Sequence, residues 1–237
     1  LKGLVCQIRG SRQLEYIFKK KTGHRTDGCA IIYDKSKFKL LADKALEYYT
    51  EDIHTLNREQ IAIMAKFQLR NSSKDNTAQQ LVVATTHLLY NPRREDVRIQ
   101  QIGVLLRGLH SFSCSSNANQ PHLPVILTGD FNLETNSPGF RRLHLPYEKM
   151  CQTSSKSQHW NCLEMRAFDF GNEQASTFQD RWKTVDFILH SMGVCGSKIK
   201  ILSIYQLPSV RQCQKLGAIP NRTVGSDHYS LAVVFSV

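Results

Sequence analysis

The sequence predicts an α/β (α+β) fold in which helices pack over largely antiparallel sheets. Three observations carry this. Two apolar segments, residues 60–69 and 81–86, alternate as a strand pair does; an amphipathic helical pattern follows at 93–110; and short strand-like runs then return to the C-terminus. There is no internal repeat and no break that divides the 237 residues into two units, so one domain over 1–237 is expected.

Residues 29–33 (CAIIY) read as a strand, and Asp27-Gly28 before them as a turn. In residues 60–69 (QIAIMAKFQL), Ile61, Ile63, Ala65 and Phe67 share one face of a strand. The polar stretch 71–79 is a long turn leading to the strand 81–86 (LVVATT). Asn91-Pro92 suits a helix start, because Asn accepts from free N–H groups and Pro tolerates the first turn. Val97, Ile102, Leu105, Leu106 and Leu109 form the core stripe of that helix, with Arg93, Arg94, Arg98 and Arg107 mostly off it. Residues 113–120 (SCSSNANQ) read as a surface loop, 125–127 as a buried strand, and Ser137-Pro138 as the cap of a short helix reaching Leu143. Residues 146–180 show little periodicity. Residues 184–190 (TVDFILH) read as a strand with its acid in the middle, and 230–237 (SLAVVFSV) as a last buried strand.

Lys+Arg number 31 against 20 Asp+Glu, a net charge of +11, which favours a polyanionic partner such as nucleic acid. Lys19, Lys20, Lys21 and Arg25 cluster before Asp27; they read either as a solvated run or as a track for a phosphate backbone. No stretch approaches the roughly 18–20 apolar residues of a membrane helix, and residues 1–15 do not read as a secretory leader, so an intracellular setting, cytoplasmic or nuclear, is expected. The seven Cys are scattered, odd in number and form no CxxC; free thiols are expected and structural zinc is not.

The chemistry-bearing residues lie at strand ends. In Thr128-Gly129-Asp130-Phe131-Asn132, alternation sends Asp130 and Asn132 to one side, giving hard oxygen donors for a divalent ion or a phosphoryl group; an Asx-turn is the structural alternative. In Ser226-Asp227-His228, Asp227 can bind metal and His228 can bind metal or donate to phosphate, or the three can simply turn the chain. Asp186 inside an apolar run needs a partner, and an imidazole N–H would serve. His87 closes a strand where it could donate to a phosphoryl oxygen or be a satisfied structural side chain.

Taken in order, Asp27-Gly28, Thr86-His87, Gly129-Asp130-Phe131-Asn132, Val185-Asp186-Phe187 and Ser226-Asp227-His228 resemble the motifs of the exonuclease–endonuclease–phosphatase superfamily. Residues 16–34, 84–98 and 127–132 are most similar to its deadenylase-like branch and, within it, to insect-like Angel proteins. The resemblance implies a four-layer sandwich of two mainly antiparallel sheets flanked by helices. It also implies a magnesium-dependent (or manganese-dependent) RNA phosphoesterase acting on RNA 3′ ends, either as a 3′–5′ exoribonuclease of the deadenylase type or as an RNA 2′,3′-cyclic phosphatase, with proteins of mRNA metabolism as partners. By the same resemblance, Asp130 orients or deprotonates the attacking water, Asn132 contacts phosphate and metal, Asp227 binds metal, and His228 meets the scissile phosphate and can bind metal. Asp186 orients His228 and His87 stabilises the transition state, while Lys20, Lys21 and Arg25 are placed on the substrate side.

One departure stands out. The family carries an early strand ending in Asn and then a Leu-Gln-Glu whose Glu binds magnesium; neither occurs before Asp27, where Glu15 is the only acid. The reading is therefore of a chain that lacks its N-terminal segment and first strand, starting in the helix after that Glu, and inactive or weak by itself. The competing reading is a catalytically inactive relative that binds RNA or protein. No base-stacking aromatic can be assigned.

Overall fold

The computed structural model describes residues 13–70, 79–114, 122–144, 163–171, 173–192 and 199–237. Its centre is a six-stranded sheet ordered β3 (Phe38–Glu47), β4 (Ile61–Leu69), β5 (Gln80–His87), β6 (Val125–Asp130), β10 (Asp186–Ser191) and β7 (Met165–Ala167). Every neighbouring pair is antiparallel except β5–β6, which is parallel and is joined through the long helix α1 (Glu95–Ser113). A parallel pair needs a crossover of that kind.

Alternation along the strands splits the core into two layers. Ala62, Met64, Val82, Ala84, Val125, Leu127, Phe187 and Leu189 face Ile102, Leu105, Leu106 and Leu109 of α1. On the other face, Ile61, Ile63, Ala65, Phe67, Leu81 and Ile126 meet Cys29 and Ile31, with Ile17, Phe235 and Val237 packed beside them. That second layer consists of two antiparallel pairs, β1 (Leu14–Lys20) with β2 (Gly28–Asp34), and β11 (Lys200–Ile204) with β12 (Val233–Ser236). The short pair β8 (Thr177–Gln179) and β9 (Arg181–Lys183), with the helices α2 (Pro138–Leu143) and α3 (Val210–Leu216), completes the described elements.

Several expectations need adjusting. The helix starts at Glu95, not next to Asn91-Pro92; Asn91 instead closes a preceding turn by accepting from the Arg93 N–H at 3.0 Å. Arg98, placed off the core stripe, is buried, because the 88–92 turn folds over it and its guanidinium donates to the carbonyls of Leu89, Asn91 and Pro92. Asp186 opens β10 and does not sit mid-strand, because the preceding residues turn toward residues 174–176: Ser176 N–H donates to the Lys183 carbonyl, and Thr184 Oγ1 to the Gln174 carbonyl. The last strand is only Val233–Ser236 and is half exposed. The strands β1 and β3 were not foreseen. Most of the 71–79 and 113–120 loops, much of the 146–180 segment and the helix expected at the start of the chain lie outside the described residues.

Candidate active site

Three strand ends line up. In the register of the sheet, His87 on β5 lies opposite Asp130 on β6, and Asp130 lies opposite Asp186 on β10. Neighbouring strands run about 4.8 Å apart, so this register alone gathers an imidazole and two carboxylates into one row. His228 is delivered from outside the sheet. Thr177 forms an antiparallel bridge with His228 and donates through Oγ1 to the Asp227 carbonyl at 2.7 Å, while Tyr229 N–H donates to the Ser176 carbonyl at 2.7 Å. The short strand β8 thus pins the 226–229 loop against the row.

His228 Nδ1 donates to Asp186 Oδ2 at 2.8 Å, and Ser176 Oγ donates to the same oxygen at 2.6 Å. Ser176, itself fully buried, accepts in turn from the Val185 N–H at 3.2 Å. This chain fixes the ring, with Nε2 3.9 Å from Asp130 Oδ2 and 3.9 Å from Asp227 Oδ2. From the other side, His87 Nε2 stands 3.6 Å from Asp130 Oδ2. The hydrogen bond to Asp186 raises the His228 pKa above its usual value.

Asp130 is enclosed. Burial, followed by the nearby Asp186 carboxylate, pushes its pKa up to about 6. Its Oδ1 accepts from the Asn132 backbone N–H at 2.8 Å. Asn132 itself adopts a left-handed conformation (φ 51°) and spends its amide N–H on the Leu88 carbonyl at 3.1 Å, which leaves the carboxamide oxygen for another partner. Phe131 between them is fully buried and anchors the turn.

The donor set suits a divalent cation. Asp130, Asp186 and His228 place ligand atoms within 4.8 Å of one another, and the exposed Asp227 carboxylate and the Asn132 oxygen add hard donors. Asp186 already accepts from Ser176 and His228, so Asp130, Asn132, Asp227 and His228 are the better candidates to hold an ion.

No family model matches the chain. Over 240 aligned residues it is 41% identical to the protein angel of Drosophila melanogaster, covering 99% of this chain. Among solved structures, ANGEL2, described as a 2′,3′-cyclic phosphatase and solved with adenosine-2′,3′-vanadate, superposes with a TM-score of 0.76 at 24% identity over 94% of this chain and 74% of that one. An endonuclease/exonuclease/phosphatase from Bacteroides vulgatus superposes with a TM-score of 0.65 at 15% identity, over the whole of this chain and 80% of that one.

The chain has the endonuclease/exonuclease/phosphatase fold and is similar to the protein angel over 99% of its length.

The chain spans 63% of the length of the Drosophila protein. Among the residues singled out in its sequence, His87, Asp130, Asn132, Asp186, Asp227 and His228 come together. The basic run divides. Lys21 is buried beside the row, ion-paired with Asp27 and 3.5 Å from His87 Nδ1. Lys20 donates to the Gly23 carbonyl at 3.4 Å, and Arg25 pairs with Glu59 at 3.3 Å. Lys19, which belonged to the same run, pairs with Glu47. The structure therefore gathers only Lys21 of this run at the site. Ser176 was missed altogether: it lies in the weakly patterned 146–180 stretch, where nothing local marks a serine that will hold an acid ten residues away.

Lys21 also acts on His87. Burial, and after it the Lys21 charge, lowers the His87 pKa, which favours a neutral ring. Lys21→Met keeps the aliphatic stem and removes the charge, so the His87 pKa should rise. Proton-detected titration of the imidazole in metal-free protein reads this directly; an unchanged or lowered value contradicts the contact.

Proposed function

We propose that the chain forms the catalytic region of a divalent-metal RNA phosphoesterase acting on RNA 3′ ends, with a 2′,3′-cyclic phosphate as the first substrate to test. The observation that carries this is the Asp186–His228 pair aimed at Asp130: a partly buried acid fixes one imidazole nitrogen, and the other faces a second carboxylate 3.9 Å away. A structural turn needs no such relay, and neither does a surface that only binds RNA. The cyclic phosphate comes first because ANGEL2 is described with that activity and superposes over 94% of the chain.

In this reading, water attacks phosphorus and the bond from phosphorus to a ribose oxygen breaks. Asp130 is placed to orient the water and take its proton. His228, its charged form favoured by Asp186, donates to the phosphate, and the neutral His87 donates to a phosphoryl oxygen where charge builds up. Asn132 and Asp227 offer oxygens to the ion, with Asp130 and His228 beside them. Magnesium, or manganese in its place, would neutralise phosphate charge and make bound water more acidic. Lys21 adds a fixed positive charge beside His87. Trimming of 3′-hydroxyl ends uses the same groups and is the second substrate class to test.

The experiment is incubation of labelled RNAs bearing 2′,3′-cyclic, 3′-phosphate or 3′-hydroxyl ends with magnesium or EDTA, using both this chain and a form extended to the length of the Drosophila relative. Magnesium-dependent conversion of the cyclic end is expected from the extended form, with weak or no turnover from residues 1–237 alone. No magnesium-dependent product from either protein overturns the enzyme reading and favours the binding relative.

A further inference from the structure

A second group of ligating side chains lies at the opposite end of the central sheet. His110 and Cys114 are one helical turn apart at the C-terminus of α1, so they share a face. Cys114 leaves the helix in an extended conformation and forms an antiparallel bridge with His122, just before β6. Cross-strand partners bring their Cβ atoms to about 5 Å. The two imidazole rings pack with centroids 4.5 Å apart, and the ligand atoms of His110, Cys114 and His122 all lie within 4.8 Å of one another.

We propose that His110, Cys114 and His122 form a zinc site that clips the end of α1 to the start of β6. The donor chemistry selects the ion. Two imidazoles and a thiolate are soft to borderline ligands, suited to zinc and poor for magnesium. Tetrahedral zinc, with bonds of about 2.0–2.3 Å, wants its ligand atoms about 3.3–3.8 Å apart, so small side-chain rotations close the set. The Ser113 hydroxyl meets His122 Nδ1 at 3.0 Å. That is the outer hydrogen bond that commonly fixes a ligating imidazole. His122 is buried and Cys114 exposed, which closes the site on one side and opens it to entering metal on the other. The Cys114 thiol now rests on the His110 carbonyl at 3.2 Å; on binding, its proton passes to solvent and sulfur takes the ion instead.

The site is separate from the phosphoesterase row and does not depend on that reading. Strand β6 starts near His122 and ends at Asp130, a run of about 16 Å at ordinary strand rise. The sequence hid the group because a His-x3-Cys spacing across a helix end, followed by a distant His, matches no common zinc pattern.

Cobalt(II) added to metal-free protein tests the site, since a cobalt–thiolate bond gives an ultraviolet charge-transfer band. One equivalent of that band per chain is expected, displaced by zinc and not by excess magnesium. Zinc should raise the Tm by a few degrees. Cys114 is exposed, so Cys114→Ser should fold normally, lose the band and lose the zinc-dependent Tm rise. His110→Gln should bind cobalt at least about tenfold more weakly. A cobalt spectrum without the thiolate band, or a band and Tm rise that persist in Cys114→Ser, overturns the site; persistence would assign the metal to another cysteine.

Discussion

Asp130→Asn should lose turnover by about 10²–10⁴-fold, the range expected for a lost general base, and yet fold more stably at neutral pH. Both effects have one cause. Asp130 titrates at about 6 in the folded chain, against an ordinary 3.8, because it is buried beside Asp186. The folded state therefore binds a proton more tightly than the unfolded state does. Stability is highest when Asp130 is protonated and falls as pH rises from about 4 to about 6. At pH 7 the ionised carboxylate costs about 3 kcal/mol relative to the unfolded chain. The carboxamide of Asn keeps an acceptor for the Asn132 N–H and removes that cost. Thermal melts in EDTA should place Asp130→Asn above wild type at pH 7, with the gap closing toward pH 4. A variant less stable than wild type at pH 7 would contradict the buried, uncompensated charge. Equal losses of RNA affinity and of turnover would point to a binding role for Asp130.

Gly129→Ala should cost about 3 kcal/mol or more, the largest stability effect expected of a single methyl group here. Gly129 has φ of 152° and lies opposite Thr86 across the parallel β5–β6 pair. A Cβ there would stand 2.1 Å from the Thr86 carbonyl oxygen, a backbone atom that cannot swing aside. Thr86 is itself held from both sides: its hydroxyl donates to the Ile61 carbonyl at 3.0 Å and accepts from the buried Tyr48 hydroxyl at 2.8 Å. Relief would have to come from parting the two strands that carry His87 and Asp130. Gly225→Ala is the control, since nothing lies within 4 Å of its Cβ position, and it should stay within about 0.5 kcal/mol of wild type. Urea titration of the two variants decides the matter. Equal midpoints would mean that the site turn does not need glycine.

The parts of the fold legible in the sequence were those buried on two faces. Strand β4 carries Ile61, Ile63, Ala65 and Phe67 toward one layer and Ala62 and Met64 toward the other, so its run is apolar and hard to mistake. Strand β3 was not legible because it is an edge strand: among the described residues it pairs with β4 alone, and Lys39, Asp43 and Lys44 give it a polar surface reading. Strands β7, β8 and β9 have three residues each, too few for a period to show. The candidate site was read from five short motifs in order, and the register of β5, β6 and β10 explains three of them: Thr86-His87, Gly129–Asn132 and Val185–Phe187 sit at strand ends that the sheet brings level, while the 226–228 motif is brought in by the loop bridged to Thr177. What spacing could not reveal was support from distant segments. Ser176 reaches Asp186 only because residues 174–176 pair with residues 183–184, and Lys21 turns inward only because its amide and ammonium both bond to Asp27.

The central claim is that the row of His87, Asp130 and Asp186, completed by His228, receives a phosphoryl group together with a divalent ion. It is tested most directly by calorimetric titration of adenosine-2′,3′-vanadate into the protein, with magnesium or with EDTA, and into its His228→Gln variant. Binding that requires magnesium and weakens at least about tenfold in His228→Gln, the loss expected of a charge-assisted contact, is the predicted result. Binding of equal strength in EDTA and in the variant would contradict it.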